Sequence, residues 1–198
     1  MLLTKLLSDV VRRYQPLYIH PGINFRFCMS SAKYIIKICL LGDGAVGKTS
    51  LVRRFVFDDF DDKYIQTFGT KVSKKSMTVE GETMDLMIWD ILGQKTHESL
   101  HEAYYRGAAG ALSVCDFTRP ETMKSLKSWI GSFRSVVGDK PIMILGNKAD
   151  LNRTFSLADL KSFASSIGCD VLETSAKTGQ NVETAFAMIG KKLLEGAQ

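Results

Sequence analysis

The sequence predicts an α/β fold, a mostly parallel sheet covered by helices, and three observations predict it. From residue 34 onward, short apolar β-rich runs alternate with longer helical patterns. The runs end in polar residues, as strands do when a site lies beyond their carboxyl ends. A glycine-rich segment, Gly42 to Thr49, stands between the first run and the first helical pattern.

Taken in order, "YIIKICLLG" (34–42) reads as a buried strand, and "TSLVRRFV" (49–56) opens the helix after it. Residues 58–70 are polar and lack either periodicity, which marks a long loop. "KVSKKSMTVEG" and "ETMDLMIWD" form an antiparallel pair that turns at Gly81. "GALSVCDF", "PIMILGNK" and "CDVLETSA" each read as a further buried strand. Helical patterns cover Glu121 to Val137, Leu157 to Ile167 and Val182 to Leu194.

With 198 residues and 45% hydrophobic content, the chain suits one globular domain (34–198) preceded by an extension (1–33). The formal charge of +5 is concentrated in that extension, which carries net +4 and leaves +1 for the rest. A nucleic-acid binder would carry a basic face on its main domain, so this class is set aside. Cys28, Cys39, Cys115 and Cys169 are widely spaced and form no metal-ligand pairs, which suits a reduced, cytoplasmic setting. No run approaches the roughly 18 to 20 apolar residues of a membrane-spanning helix.

"GDGAVGKT" fits G-x-x-x-x-G-K-[ST], the phosphate-binding loop of the P-loop NTPase fold. Glycines let the backbone wrap closely around phosphate oxygens, so that N–H groups from Asp43, Gly44, Ala45, Val46 and Gly47 point inward. Lys48 supplies a full positive charge to the β and γ phosphates. Thr49, followed by Ser50, offers a hydroxyl to Mg²⁺, a cation that prefers oxygen ligands.

The base must be read elsewhere. In "LGNKADL" (145–151), Asp150 can accept from the paired N–H donors that guanine carries at N1 and its 2-amino group, and that adenine lacks. Asn147 can meet the Hoogsteen edge while the stem of Lys148 lies on the ring face. Buried acceptors of this kind reject the wrong base, by roughly 10⁴- to 10⁵-fold in the best cases.

With "GDGAVGKT", Thr67 in "YIQTFGT", "WDILGQ", "GNKAD" and "TSAK" in this order and spacing, the chain resembles a Ras-superfamily small GTPase over residues 34–195. "YYRGAAG" (104–110) makes the resemblance Rab-like. The resemblance implies a six-stranded sheet with one antiparallel strand and five helices, GTP and GDP as ligands, and Mg²⁺ as cofactor. It implies that Phe60 and Tyr64 sit against the guanine and over the phosphates, and that the Ser175, Ala176 and Lys177 backbone faces the base. Packing is the alternative role for both aromatics. Thr67 would coordinate Mg²⁺, Asp90 would hold it through water, Gly93 would sense the γ-phosphate, and Gln94 would orient the attacking water. Asp58–Thr70 and Gly93–Arg106 would then form a surface for effectors that exists only with GTP. Hydrolysis would be slow alone, because no built-in arginine finger is evident: Arg53 and Arg54 follow the loop on its helix, and Arg106 reads as a surface or packing residue. An activating partner and an exchange factor are therefore expected, with the chain itself a monomer. The alternative is a GTP-binding scaffold with negligible hydrolysis.

Leu92 and Lys95 depart from the family pattern, which usually has alanine at the first position, beside the metal and the γ-phosphate, and glutamate at the second, in the same loop. The ends depart as well. "LLEGAQ" holds no cysteine for a C-terminal lipid, and Leu2 in place of glycine argues against N-myristoylation. "MLLTKLLSDVVRRY" has its apolar residues at helical spacing with Lys5, Arg12 and Arg13 elsewhere on the helix. Contact with an anionic membrane, docking on the domain, a transit peptide, and a native start at Met29 all stay open for this extension.

Overall fold

The computed structural model describes residues 34–61, 70–91, 93 and 98–196, with the backbone alone for 98–100. The elements run β1 (Tyr34–Leu41), α1 (Lys48–Phe57), β2 (Thr70–Val79), β3 (Glu82–Ile91), α2 (Glu98–Tyr105), β4 (Gly110–Asp116), α3 (Pro120–Val137), β5 (Ile142–Asn147), α4 (Leu157–Ser165), β6 (Asp170–Glu173) and α5 (Val182–Glu195). Six strands form one sheet in the order β2-β3-β1-β4-β5-β6. Only the β2–β3 pair is antiparallel; all other neighbours run parallel. This is the six-stranded, five-helix arrangement expected from the sequence.

The hairpin turns through Glu80 (φ 51°) and Gly81 (φ 85°), the two positive φ values that a tight two-residue turn between twisted strands requires. β4 and β5 are buried along their whole length, as central parallel strands are when helices cover both faces. Alternation along β1 assigns the two faces. Ile36, Ile38 and Leu40 join Leu51, Val52 and Phe55 of α1 and Phe186, Ile189 and Leu193 of α5. Cys39 and Leu41 join Tyr105 of α2, Leu126, Trp129, Ile130 and Phe133 of α3, and Leu160 of α4.

Helix ends follow local chemistry. Pro120 opens α3 at a position where its missing N–H costs nothing, with Glu121 in the first turn complementing the helix dipole. Ser156 and Asp159 cap α4 reciprocally, through Asp159 N–H to Ser156 Oγ (3.1 Å) and Ser156 N–H to Asp159 Oδ2 (2.8 Å). The pattern predicts that helix to Ile167, but α4 ends at Ser165. The turn that follows reverses through Gly168 (φ 67°), and the Cys169 N–H closes it on the Ala164 carbonyl at 3.0 Å. Cys39 and Cys115 are buried free thiols, each pushed up to about 12 by burial. No helix among the described residues is long and apolar enough to cross a membrane.

β1 hydrogen-bonds to β3 on one side and to β4 on the other, so successive connections leave it in opposite directions. The crevice beyond its C-terminal end is the switch point where such sheets bind ligands. Gly42, Asp90, Asp116, Asn147 and Glu173 all sit at or just past C-terminal strand ends on this side.

Phe55 and Phe186 stack across the α1–α5 contact with centroids 3.8 Å apart and planes 3° from parallel. Phe186→Ala is expected to cost about 3 to 5 kcal/mol of unfolding free energy, read from urea denaturation.

Candidate functional site

The loop after β1 is shaped by three left-handed residues, Gly42 (φ 130°), Ala45 (φ 60°) and Gly47 (φ 98°). Side chains cannot be added at its ends. A Cβ on Gly42 would lie 2.2 Å from the Val114 carbonyl oxygen, and one on Gly47 would lie 2.2 Å from Asn147 Nδ2. Lys48 begins α1, one residue earlier than the sequence pattern suggested, and is 6% exposed. Its Nζ curls back over the loop and donates to the Gly42 (2.7 Å) and Asp43 (2.8 Å) carbonyls. Burial lowers its pKa to about 8, while the charges of Asp90 and Asp43 oppose that shift.

Next to it, Thr49 Oγ1 donates to Asp90 Oδ2 at 2.5 Å. Asp90 is 1% exposed, and its other oxygen, Oδ1, is buried with no hydrogen-bond partner among the described residues. Burial raises this carboxyl's pKa against the pull of the Thr49 hydrogen bond and the Lys48 and Lys71 charges. An orphaned carboxylate oxygen is costly, and a hard divalent cation or its water shell would satisfy it. Gly93, three residues on, presses against the same loop: a Cβ there would meet the Asp43 carbonyl carbon at 2.5 Å and Gly44 N at 2.6 Å.

On the other flank Asn147 joins three segments. Its Nδ2 donates to the Val46 carbonyl (2.9 Å), and its Oδ1 accepts from Thr174 Oγ1 and from the Ala176 N–H, both at 3.3 Å. The amide nitrogen carries a second N–H, a donor suited to a base. Lys148 adopts φ 63° and reaches Asp116 Oδ2 at 2.6 Å. Asp150 Oδ1 accepts from Ser175 Oγ at 2.6 Å, and the same oxygen of Ser175 accepts from the Thr178 N–H at 3.1 Å. Asn147, Lys148, Asp150, Ser175 and Ala176 are therefore brought together, and their network reaches the phosphate loop through Val46.

Ser50 lies on α1, and Phe60 packs against the apolar cluster between the sheet, α1 and α5. Tyr64, Thr67, Leu92, Gln94 and Lys95 lie outside the described residues. Arg106 has an exposed side chain, and its backbone carbonyl accepts from Lys37 Nζ at 2.8 Å.

Sequence reasoning missed a second set of residues, those that grip the phosphate loop from α3. Asp43 Oδ1 accepts from Trp129 Nε1 (2.8 Å), and Asp43 Oδ2 accepts from Ser125 Oγ (2.5 Å). Arg119 donates from Nη2 to the Gly44 carbonyl (2.9 Å) and from Nε to Asp116 Oδ2 (3.1 Å). Asp116 thus ties Lys148 and Arg119 together beneath the site. Its signal was present, because it ends a strand like Asp90 and Asn147; the α3 residues sit in an ordinary amphipathic pattern and had none.

The residues of this site fall within a match to the Ras family that covers residues 37–195. The chain belongs to that family. It is similar to Ras-related protein Rab-21 of Bos taurus, at 37% identity over 168 residues, 83% of this chain and 76% of that protein. Its likeness to Ras-related protein Rab-31 of Mus musculus is 40% over 161 residues, 80% of this chain and 83% of that protein. As a Rab-like member of the Ras family the chain binds GTP and GDP, hydrolyses GTP, and acts as a switch read by effectors, activators and exchange factors.

Asp116 offers a pH test. Burial works against its charge, but hydrogen bonds from Lys148 and from the Thr118 backbone and hydroxyl outweigh burial and hold its pKa below the ordinary 3.8. A carboxyl depressed in the folded state contributes stability above its unfolded value and loses it as pH falls through the folded value. Wild type is therefore expected to lose stability more steeply than Asp116→Asn as pH is lowered from 5 through 3.8 and below, measured by urea midpoints.

Proposed function

We propose that this site performs GTP hydrolysis with Mg²⁺ held between Thr49 and Asp90, and that the two segments beside it signal the nucleotide state. The observation that carries this reading is the short Thr49–Asp90 contact, with the orphaned Asp90 Oδ1 next to the buried Lys48. Thr49 Oγ1 would coordinate the cation directly, Thr67 would join it, and Asp90 would hold it through water. Held by these residues, Mg²⁺ would supply positive charge against the negative charge that develops on the phosphate oxygens.

This chain's residues do the rest. Backbone N–H groups from Asp43 to Lys48 hold the phosphates, and the Lys48 ammonium leaves the Gly42 and Asp43 carbonyls to meet them. Asn147, the stem of Lys148 and Asp150 fix guanine, with the Ser175–Lys177 backbone and Phe60 around it and Tyr64 over the phosphates. Gln94 orients water in line with the γ-phosphate. Gly93 donates its N–H to that phosphate, so the segment after it moves when the phosphate leaves.

Asp58–Thr70 and Gly93–Arg106 would thereby present a surface to effectors in the GTP state alone. Without an added arginine the rate would be on the order of 10⁻⁴ to 10⁻² s⁻¹, and an activator's arginine would raise it roughly 10³- to 10⁵-fold. Similarity to Rab-21 and Rab-31 supports a role in membrane traffic. The extension at 1–33 is our candidate for peripheral attachment of an otherwise cytoplasmic protein.

Nucleotide extracted from the purified protein is expected to be GDP or GTP, identified by chromatography. Single-turnover hydrolysis should slow at least about tenfold in Gln94→Leu relative to wild type. Equally vanishing rates in both would remove the timer from this reading.

A further inference from the structure

We infer that Arg54 is a positioning residue for guanine recognition, acting from α1 on the loop that steadies Asp150. Its side chain crosses from the helix opened by Lys48 and Thr49 to the loop between β6 and α5. Nε donates to the Ala176 carbonyl (2.9 Å) and Nη2 to the Lys177 carbonyl (2.8 Å). Nη1 stays on its own helix end, donating to the Asp58 carbonyl (3.3 Å) and to Asp58 Oδ1 (3.1 Å), a carboxylate that is 93% exposed, so that this ion pair contributes little and neither bond reaches the loop. The two loop carbonyl contacts dominate, since a planar guanidinium holds two acceptors in one fixed geometry.

Holding those carbonyls aims the amides on their far sides. In a trans peptide the C=O and the following N–H point in opposite directions. With the Lys177 carbonyl on Arg54, the Thr178 N–H points at Ser175 Oγ, where it donates at 3.1 Å. That hydroxyl in turn donates to Asp150 Oδ1 at 2.6 Å. The chain of contacts runs from Arg54 through one peptide plane and one hydroxyl to the carboxylate assigned to guanine N1 and the 2-amino group. Arg53, its neighbour, pairs with Asp59 away from this loop.

The inference rests on Asp150 reading guanine, and one set of measurements separates the two claims. Affinities for GDP and for inosine diphosphate, which lacks the 2-amino group, are compared in wild type, Arg54→Ala, Arg54→Lys, Arg53→Ala and Asp150→Asn. Arg54→Ala is expected to weaken GDP at least about tenfold and to narrow the preference for GDP over inosine diphosphate several-fold. Arg54→Lys, a single point charge, should not restore it, and Arg53→Ala should match wild type. Equal weakening of both nucleotides in Arg54→Ala, or full rescue by lysine, would overturn the positioning role. If Arg54→Ala does not fold, the Arg54→Lys preference decides: narrowed supports the inference, unchanged overturns it. An unchanged preference in Asp150→Asn would instead sink the reading of Asp150.

Discussion

The amide of Asn147 is the interaction on which the rest of the site depends. Its side chain is buried at the end of β5 and ties the Val46 carbonyl of the phosphate loop to the Thr174 hydroxyl just past β6 and to the Ala176 N–H in the loop that follows. A hydrogen bond of this sort nets only about 0.5 to 1.5 kcal/mol, but leaving any of its buried partners unmade costs more than that. The amide therefore fixes the distance between the part of the site that takes phosphate and the part that takes the base. Gly47 is a consequence of it, because any larger residue would collide with Nδ2.

Around that anchor the phosphate loop is gripped from both sides of the sheet. α3 holds Asp43 through Trp129 and Ser125, and holds Gly44 through Arg119. Asp116 ties Arg119 to Lys148, so the α3 grip and the base side share one buried carboxylate. Asp90 closes the third side through Thr49. Asp90 and Asp116 leave from strand ends, Thr49 from a first helical turn, and Ser125 and Trp129 from the body of α3, where the backbone is already fixed by sheet or helix. The loop needs no rigidity of its own.

What the sequence made legible divides along physical lines. The order of the strands and of every helix but α2 was readable because apolar periodicity is local, and the phosphate loop because its glycines must stand at set spacings for steric reasons; α2 was expected only from the family resemblance. Lys48, Thr49, Asp90, Asn147 and Asp150 were readable because they follow strand ends. Trp129, Ser125, Arg119 and Arg54 were not: each lies in or at the start of a regular helix and acts on a partner far away in sequence, Trp129 and Ser125 on the Asp43 carboxylate, Arg119 and Arg54 on backbone carbonyls. A carbonyl acceptor carries no side-chain signature, so such contacts leave no trace in a single sequence. The end of α4 was overestimated for a related reason: Ile167 fits the apolar stripe and packs on the core, but it does so from the turn that leads into Gly168 and not from the helix.

Trp129 has a consequence that is optical. Its indole N–H is bound to Asp43 in the phosphate loop, while its ring lies 5.2 Å from that of His101 on α2. The protein has two tryptophans, and the other, Trp89 on β3, is half-buried under the Lys37 ammonium and beside Tyr104 of α2, away from the phosphate loop. One indole thus touches the loop that takes phosphate and the helix that follows the γ-phosphate sensor. Intrinsic fluorescence carries, without any attached label, a record of whether those two elements keep their distance.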